Sequence, residues 1–212
     1  WLDTVKEGTP NEGNFWKNDA DYIKAVTTLY DCYSYEETWG RDLYYEQGGA
    51  DDIVYGRSRG NSQMNLAKLK MDGSSEGSIK WVYNQMYETM SAANNVIYHA
   101  LLIPEAQRSA IQKRSLGEAY FMRAFTHYMI AYRYGRPDNG VPFVKYEDFT
   151  DYGKQVNDVP TQQATVMDNY RLIVEDFQKA ADNLDWFKNY STDNYGRATK
   201  DAALGYMVKT YA

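Results

Sequence analysis

Apolar residues at helical spacing constrain the fold of this chain more than any other feature of its sequence. They recur at steps of three and four through residues 82–101 and again through residues 111–129. That spacing places them on one face of an amphipathic helix. The two runs therefore predict helices over residues 78–102 and 104–134. Because the connection between them is so short, the two helices must pack antiparallel as an αα-hairpin.

Polar N-caps predict three more helices. Asn18 caps a helix over about residues 19–33. A Thr-x-x-Asp capping box predicts a start at Thr165, with Thr161 as the alternative. Thr199 caps a last helix that runs to the end of the sequence. Five helices joined mainly by short links predict an all-α fold of stacked helical hairpins of tetratricopeptide-repeat type.

Proline and glycine predict the ends of the third helix. Pro104 suits a first helical turn, where its missing N–H costs nothing. Gly135 is expected at the C′ position, and Pro137 prevents the helix from continuing. Within this helix, Arg123 is expected to be a structural charge that pairs with Glu118 or with a helix C-terminus.

Residues 34–78, here called the excursion, break the helical pattern with seven glycines among aromatic and charged residues. A long irregular segment in a compact domain is often functional. Aromatic faces beside polar groups suit the apolar faces and the hydroxyls of sugar rings. The predicted ligand-binding residues are Trp39, Tyr44, Tyr45, Asp52, Tyr55, Arg57, Arg59 and Asn61. The alternative is a purely structural loop held by Asp–Arg pairs.

Catalytic, metal and cofactor sites are not predicted. Asp51 and Asp52 are adjacent, so in an extended segment they point to opposite faces and cannot flank one glycosidic bond. The two histidines, His99 and His127, lie among apolar residues on the two helices of the hairpin. Packed histidines are a simpler interpretation there than a metal site formed where the two meet. Cys32 is the only cysteine and is expected to be a packed thiol.

Net charge and hydropathy argue against two further kinds of protein, those that bind nucleic acids and those with membrane-spanning helices. A net charge of −6 without a basic cluster argues against a nucleic-acid partner. The longest apolar run is far shorter than the roughly 18 residues of a membrane-spanning helix. The 21 tyrosines suit either a half-wet binding surface or helix packing, and most of their positions favour packing.

Six motifs together resemble the SusD/RagB family of nutrient-uptake lipoproteins, in that family's order and over nearly the whole chain. The start of the chain at Trp1-Leu2-Asp3 also resembles the start of these proteins. The sequence departs from the pattern at residues 136–139 and at Asp185-Trp186, where the family commonly has Pro after Leu. The matching motifs lie at 14–18, 93–97, 118–124, 134–143, 170–177 and 196–203.

The resemblance implies a function as well as a fold. Such proteins are surface lipoproteins of the outer membrane of Bacteroidota, anchored through a lipidated cysteine that would lie upstream of Trp1. They capture oligosaccharides or peptides without catalysis, and they act as a lid on a SusC-type TonB-dependent transporter. Residues 1–212 would form the N-terminal helical domain, with the excursion contributing to the ligand site and the C-terminal part of the family lying beyond this sequence. The alternative is a helical-repeat module that binds peptide or protein, or a scaffold without affinity for glycans.

Overall fold

The computed structural model describes residues 14–36, 40, 50, 51, 65, 68, 70, 77–148 and 161–212. Across these ranges the chain forms helices α1 (Asp19–Asp31), α2 (Gly77–Leu101), α3 (Ala110–Tyr134), α4 (Val166–Asn183) and α5 (Lys200–Tyr211). Short 3₁₀ turns lie at Glu105–Gln107, Tyr146–Asp148, Phe187–Asn189 and Thr192–Asn194. The predicted all-α fold is confirmed, and the residues described contain no β-strand.

Side-chain caps determine where the helices begin. The Asn18 side chain accepts hydrogen bonds from the first turn of α1, as predicted, and the start of α4 is Thr165 rather than Thr161. The predicted start of α3 near Pro104 is wrong. Ser109 and Gln112 form a reciprocal capping box that satisfies two backbone N–H groups, so α3 begins there, whereas Pro104 precedes a separate 3₁₀ turn.

Helix α3 is the central element, and α1, α2, α4 and α5 all pack against it. The hydroxyl of Tyr134, at the end of α3, donates to the carbonyl oxygen of Ile79, at the start of α2, at 2.9 Å. The predicted antiparallel hairpin is therefore confirmed. Helix α1 runs parallel to α3, because Asp19 meets Ser109 at one end and Tyr30 meets Glu118 nearer the other.

Two glycines allow α3 and α4 to approach closely. A Cβ atom on Gly117 would lie 2.8 Å from Cγ of Leu184, and one on Gly135 would lie 2.5 Å from Cγ2 of Val166. Gly135 ends α3 as predicted, with a φ of −74°. A Cβ atom there would collide with Val166 of the neighbouring helix and also with the Ala131 carbonyl oxygen of α3 itself, which would lie 2.5 Å away.

Tyrosines pack within the hydrophobic core and around its edge, and their hydroxyls find partners. Tyr22 donates to the carbonyl oxygen of His99, and Tyr87 donates to that of Pro142. This placement confirms the packing role predicted for these tyrosines. Cys32 is buried, also as predicted. Among the helices described, none has the length and hydropathy to cross a bilayer.

Candidate functional site

The eight predicted ligand-binding residues all fall in one part of the excursion. Their positions lie outside the residues that the structure describes, so the site remains a prediction. These residues are Trp39, Tyr44, Tyr45, Asp52, Tyr55, Arg57, Arg59 and Asn61.

The two ends of the excursion are attached to the same helix. On the α1 side, the hydroxyl of Tyr33 makes a short hydrogen bond with Thr126, and its ring packs 5.5 Å from that of Phe125. On the α2 side, Ile79 is held by Tyr134. Thr126 and Tyr134 are eight residues apart on α3, or about 12 Å along its axis. Both ends of the excursion therefore start from a fixed, buried base.

A buried arginine fastens the segment that follows α3. All five N–H groups of Arg123 donate: two to the carboxylate of Asp176, two to that of Glu147 and one to Asn94, at 2.6–2.8 Å. Burial alone would lower the pKa of Arg123, but the two carboxylates outweigh it and raise that pKa. The predicted pairing of Arg123 with Glu118 is wrong.

Glu118 instead joins α1, α3 and the start of α5. Its buried carboxylate accepts from the Tyr30 hydroxyl at 2.8 Å and from Arg197 at 3.0 Å, and Arg114 lies 3.2 Å away. Burial is the main cause that raises the pKa of Tyr30, followed by the charge of Glu118. Arg197 thus has a structural role beside the start of α5.

The two histidines have separate surroundings. His99 stacks on Trp16 at 4.4 Å, whereas His127 is fully buried and stacks on Phe143 at 4.2 Å. Nε2 of His127 lies 2.8 Å from Nδ2 of Asn169, which can only donate, so the imidazole proton sits on Nδ1. The two rings do not form one site. Within the described part of the chain, no group of three His, Cys, Asp or Glu side chains could hold a metal ion.

A polar cleft of about 460 Å³ lies between the start of α3 and the segment after α4. Its walls carry charged, amide and hydroxyl groups together with the apolar side chains of Ala110 and Leu184. Among the lining residues are Lys113, Arg114, Asp182, Asp185, Asn189, Tyr190, Ser191 and Asn194.

A second cleft, of about 320 Å³, lies between α3 and α5 and is mainly aromatic. Tyr128, Tyr132 and Tyr206 line it, and the ammonium of Lys209 sits within 6 Å of two of these rings. Arg133 and the three tyrosine hydroxyls add polar groups to these walls.

Comparison with known proteins matches this architecture to one family. Residues 10–212 match the model of a SusD-like family described as starch-binding and associating with the outer membrane. SusD-like protein P2 of Formosa agariphila is 28% identical over 137 residues, which are 63% of this chain and 25% of that protein. The chain thus spans about a quarter of the length of this relative.

Solved structures share the fold. A SusD-like carbohydrate-binding protein of Bacteroides fragilis superposes with a TM-score of 0.71 at 21% identity, over 92% of this chain and 37% of that one. Surface glycan-binding protein A of Bacteroides fluxus gives a TM-score of 0.69 at 18% identity, over 91% and 39%. At these identities the likeness shows the fold alone. The family match covers nearly the whole sequence, and on that basis this chain belongs to the SusD-like family of outer-membrane-associated carbohydrate-binding proteins.

Proposed function

We propose that this chain is the N-terminal helical portion of a surface lipoprotein that captures oligosaccharides without cleaving them and delivers them to a SusC-type TonB-dependent transporter. The family match over residues 10–212 carries the proposal. The name of the Bacteroides fluxus neighbour, a surface glycan-binding protein, supports glycans over peptides as the ligand class.

The packed helices can serve as a rigid scaffold for capturing a ligand. Capture requires a surface that holds its shape, because ordering a loop on binding opposes affinity. Helix α3 supplies the base: Tyr33 packs at one end of the excursion and Tyr134 holds the other. We place the ligand site in the excursion, on the aromatic platforms Trp39 and Tyr55 and on Arg57.

Non-catalytic capture fits the chemistry of the predicted site. Stacking on aromatic rings and hydrogen bonds from an arginine fork hold a sugar without a nucleophile or a metal ion. The adjacent pair Asp51 and Asp52 cannot supply the two facing carboxylates of a glycosidase. Binding without product formation is therefore the expected behaviour.

Isothermal titration of the full-length soluble protein against maltoheptaose, cellohexaose, xylohexaose and a peptide panel tests the proposal. The variants are Trp39→Ala and Tyr55→Ala. Tyr211→Ala is the matched control, since that ring is 74% exposed at the end of α5 and lies outside the excursion. We expect saccharide binding that either site variant weakens at least tenfold and that the control leaves unchanged, with no shortened product on chromatography.

Other outcomes separate the alternatives. Saccharide binding that survives both site variants would move the site out of residues 39–61. Binding to peptides alone would refute the glycan ligand and favour a peptide-binding module. Shortened products would refute the non-catalytic function. Capture of the SusC-type transporter by the tagged full-length lipoprotein tests the delivery step, and failure to co-purify would contradict it.

A further inference from the structure

The aromatic cleft between α3 and α5 presents three tyrosine rings on one surface. Tyr128 and Tyr132 come from successive turns of α3, and Tyr206 comes from α5. The ring of Tyr128 lies 5.5 Å from that of Tyr132 and 6.3 Å from that of Tyr206. The volume of about 320 Å³ falls within the range of about 300–1,000 Å³ that small-molecule sites occupy. The cleft therefore has the size and the aromatic walls of a site for a small ring-shaped ligand.

The charged groups of this cleft are cationic. Arg133 and Lys209 line it, and none of the described lining residues carries a carboxylate. The Lys209 ammonium lies 5.9 Å from the centre of the Tyr128 ring and 5.8 Å from that of Tyr206, so the two rings attract it into the cleft. In the part of the chain that the structure describes, no carboxylate pairs with this ammonium. These residues make the cleft locally positive, in a chain whose net charge is −6.

Ring faces and an ammonium together suit a sugar that carries a carboxylate. The apolar face of a sugar ring packs on a tyrosine ring, and the tyrosine hydroxyls can donate to or accept from the hydroxyls of the sugar. An ammonium offers three N–H donors, and its hydrogen bonds to a carboxylate are stronger than those to a neutral group. An acidic sugar gains that bond in this cleft, and a neutral sugar of the same shape does not. The cleft therefore favours acidic over neutral saccharides.

The walls of the cleft are packed against the core, while one ring stays open to solvent. The ring of Phe125, which lines the cleft, lies 5.0 Å from that of Tyr206 and 5.5 Å from that of Tyr33. Tyr206 also stacks on the fully buried Phe177 at 5.7 Å. Tyr132 remains 47% exposed, so a ligand can reach its ring. Because these walls are already ordered, binding costs little conformational entropy.

We propose that the aromatic cleft binds an acidic sugar unit of an oligosaccharide, namely a uronic acid. The sugar ring packs on Tyr132, beside Tyr128, and its carboxylate accepts hydrogen bonds from the Lys209 ammonium. This inference rests on the proposed function of saccharide capture. It adds to that function an acidic class of saccharide and a contact outside the excursion.

Isothermal titration of the full-length protein with hexagalacturonate and with its fully methyl-esterified form tests the ligand class, because the ester removes the charges but keeps the rings. We expect the wild type to bind the acid at least tenfold more tightly than the ester. Lys209→Met should reduce the affinity for the acid to that for the ester, and Tyr132→Ala should weaken both at least fivefold. The matched controls, Lys188→Met and Tyr195→Ala, should bind as the wild type does, since both side chains are exposed on the segment after α4. Circular dichroism checks that all four variants fold.

The outcomes separate this inference from the proposed function. Equal affinity of the wild type for the acid and the ester would overturn the acidic ligand. Acid binding that both cleft variants leave unchanged, but that Trp39→Ala abolishes, would overturn the cleft site and leave the proposed function standing. Binding of neutral saccharides alone would have the same meaning. No binding of any saccharide by the wild type would overturn both.

Acetylation of lysines with an N-hydroxysuccinimide ester, followed by mass spectrometry of peptides, gives a second test without any substitution. Lys209 is exposed, so we expect it to react readily in the free full-length protein and at least tenfold more slowly with saturating hexagalacturonate. Lys188 is the control in the same sample, because it is exposed on the segment after α4 and should react equally in both conditions. A Lys209 that is unreactive without saccharide would mean that another part of the protein covers the cleft, and this would overturn the site.

Discussion

Replacing Arg123 is expected to lower the free energy of unfolding more than replacing an exposed arginine does. Two of its five hydrogen bonds go to the carboxylate of Asp176, which is itself fully buried, so Arg123→Met leaves an unpaired charge in the core. We expect a loss of about 3–5 kcal/mol in the free energy of unfolding. The matched control is Arg171→Met, because Arg171 pairs with Asp168 at the same 2.7 Å but is 72% exposed. Removing that pair should cost less than about 1 kcal/mol. Urea titration measures both, and equal losses would contradict the assignment.

His127 gives a prediction about pH. Burial lowers its pKa from the usual 6.5 to about 3, so between those values the unfolded chain binds one proton more than the folded chain. The free energy of unfolding therefore falls on acidification, by about 1.4 kcal/mol per pH unit from this group. His127→Phe keeps a ring against Phe143 but removes the proton site. Between pH 6.5 and 4.5 the variant should lose about 2 kcal/mol less than the wild type. Parallel curves in urea titrations would refute this.

For single residues, the sequence predicted that these side chains have structural roles but not which residues they contact. Arg123 and Glu118 are five residues apart, which places them on different faces of α3 because helical neighbours are three or four apart. The true partners, Glu147 and Asp176, are 24 and 53 residues away. No local spacing reveals such contacts. The glycine at 135 was recognised as a helix end, but one of the two contacts that exclude a side chain there, with Val166 on α4, is likewise long-range.

At the scale of helices, the close contact between α3 and α4 depends on Gly117. Gly205 provides a matched control for substituting it. Gly117→Ala places a methyl group 2.8 Å from the Leu184 side chain, so α4 must shift, and we expect a loss of about 1–3 kcal/mol. Gly205, inside α5, has nothing within 4 Å of the same position. Gly205→Ala should therefore stabilise the protein by about 0.5–1 kcal/mol. Chemical denaturation of both variants checks the opposite signs, and a stabilised Gly117→Ala would contradict the close contact.

Helices were predictable because local rules determine them. Apolar spacing and N-caps identified all the helices described, and α3 was misplaced only at its start, where Pro104 and the Ser109–Gln112 capping box competed. The capping box prevails because it satisfies two backbone N–H groups, whereas proline only tolerates the position.

Across the whole molecule, α3 links stability to function. It carries Arg123, whose network fastens the segment after the helix, and it holds both ends of the excursion. The sequence could predict the composition of the excursion but not its conformation, because irregular segments lack the periodicity that identifies helices. The helical scaffold and the ligand site should therefore be separable.

Excision of residues 37–76 tests that separation. Tyr33 and Tyr134 hold the two flanks about 12 Å apart along α3. A ten-residue Gly/Ser linker spans this gap, since its r.m.s. length is about 17–19 Å. Shortening the connection fourfold lowers the entropic cost of closing it by about 1.2 kcal/mol. We expect the scaffold to keep its helical circular dichroism and to melt within a few degrees of the wild type.

Saccharide binding in the excised protein then reports where the ligand site lies. All eight predicted contact residues, from Trp39 to Asn61, are removed, so binding at the excursion should be abolished. Any residual saccharide binding should be weaker and would report a contact outside residues 37–76. Full retention of affinity by a folded, excised protein would refute a ligand site in the excursion. Loss of the helical circular dichroism signal would instead show that the excursion is part of the scaffold. That result would favour the alternative interpretation, in which the excursion is a structural loop held by Asp–Arg pairs.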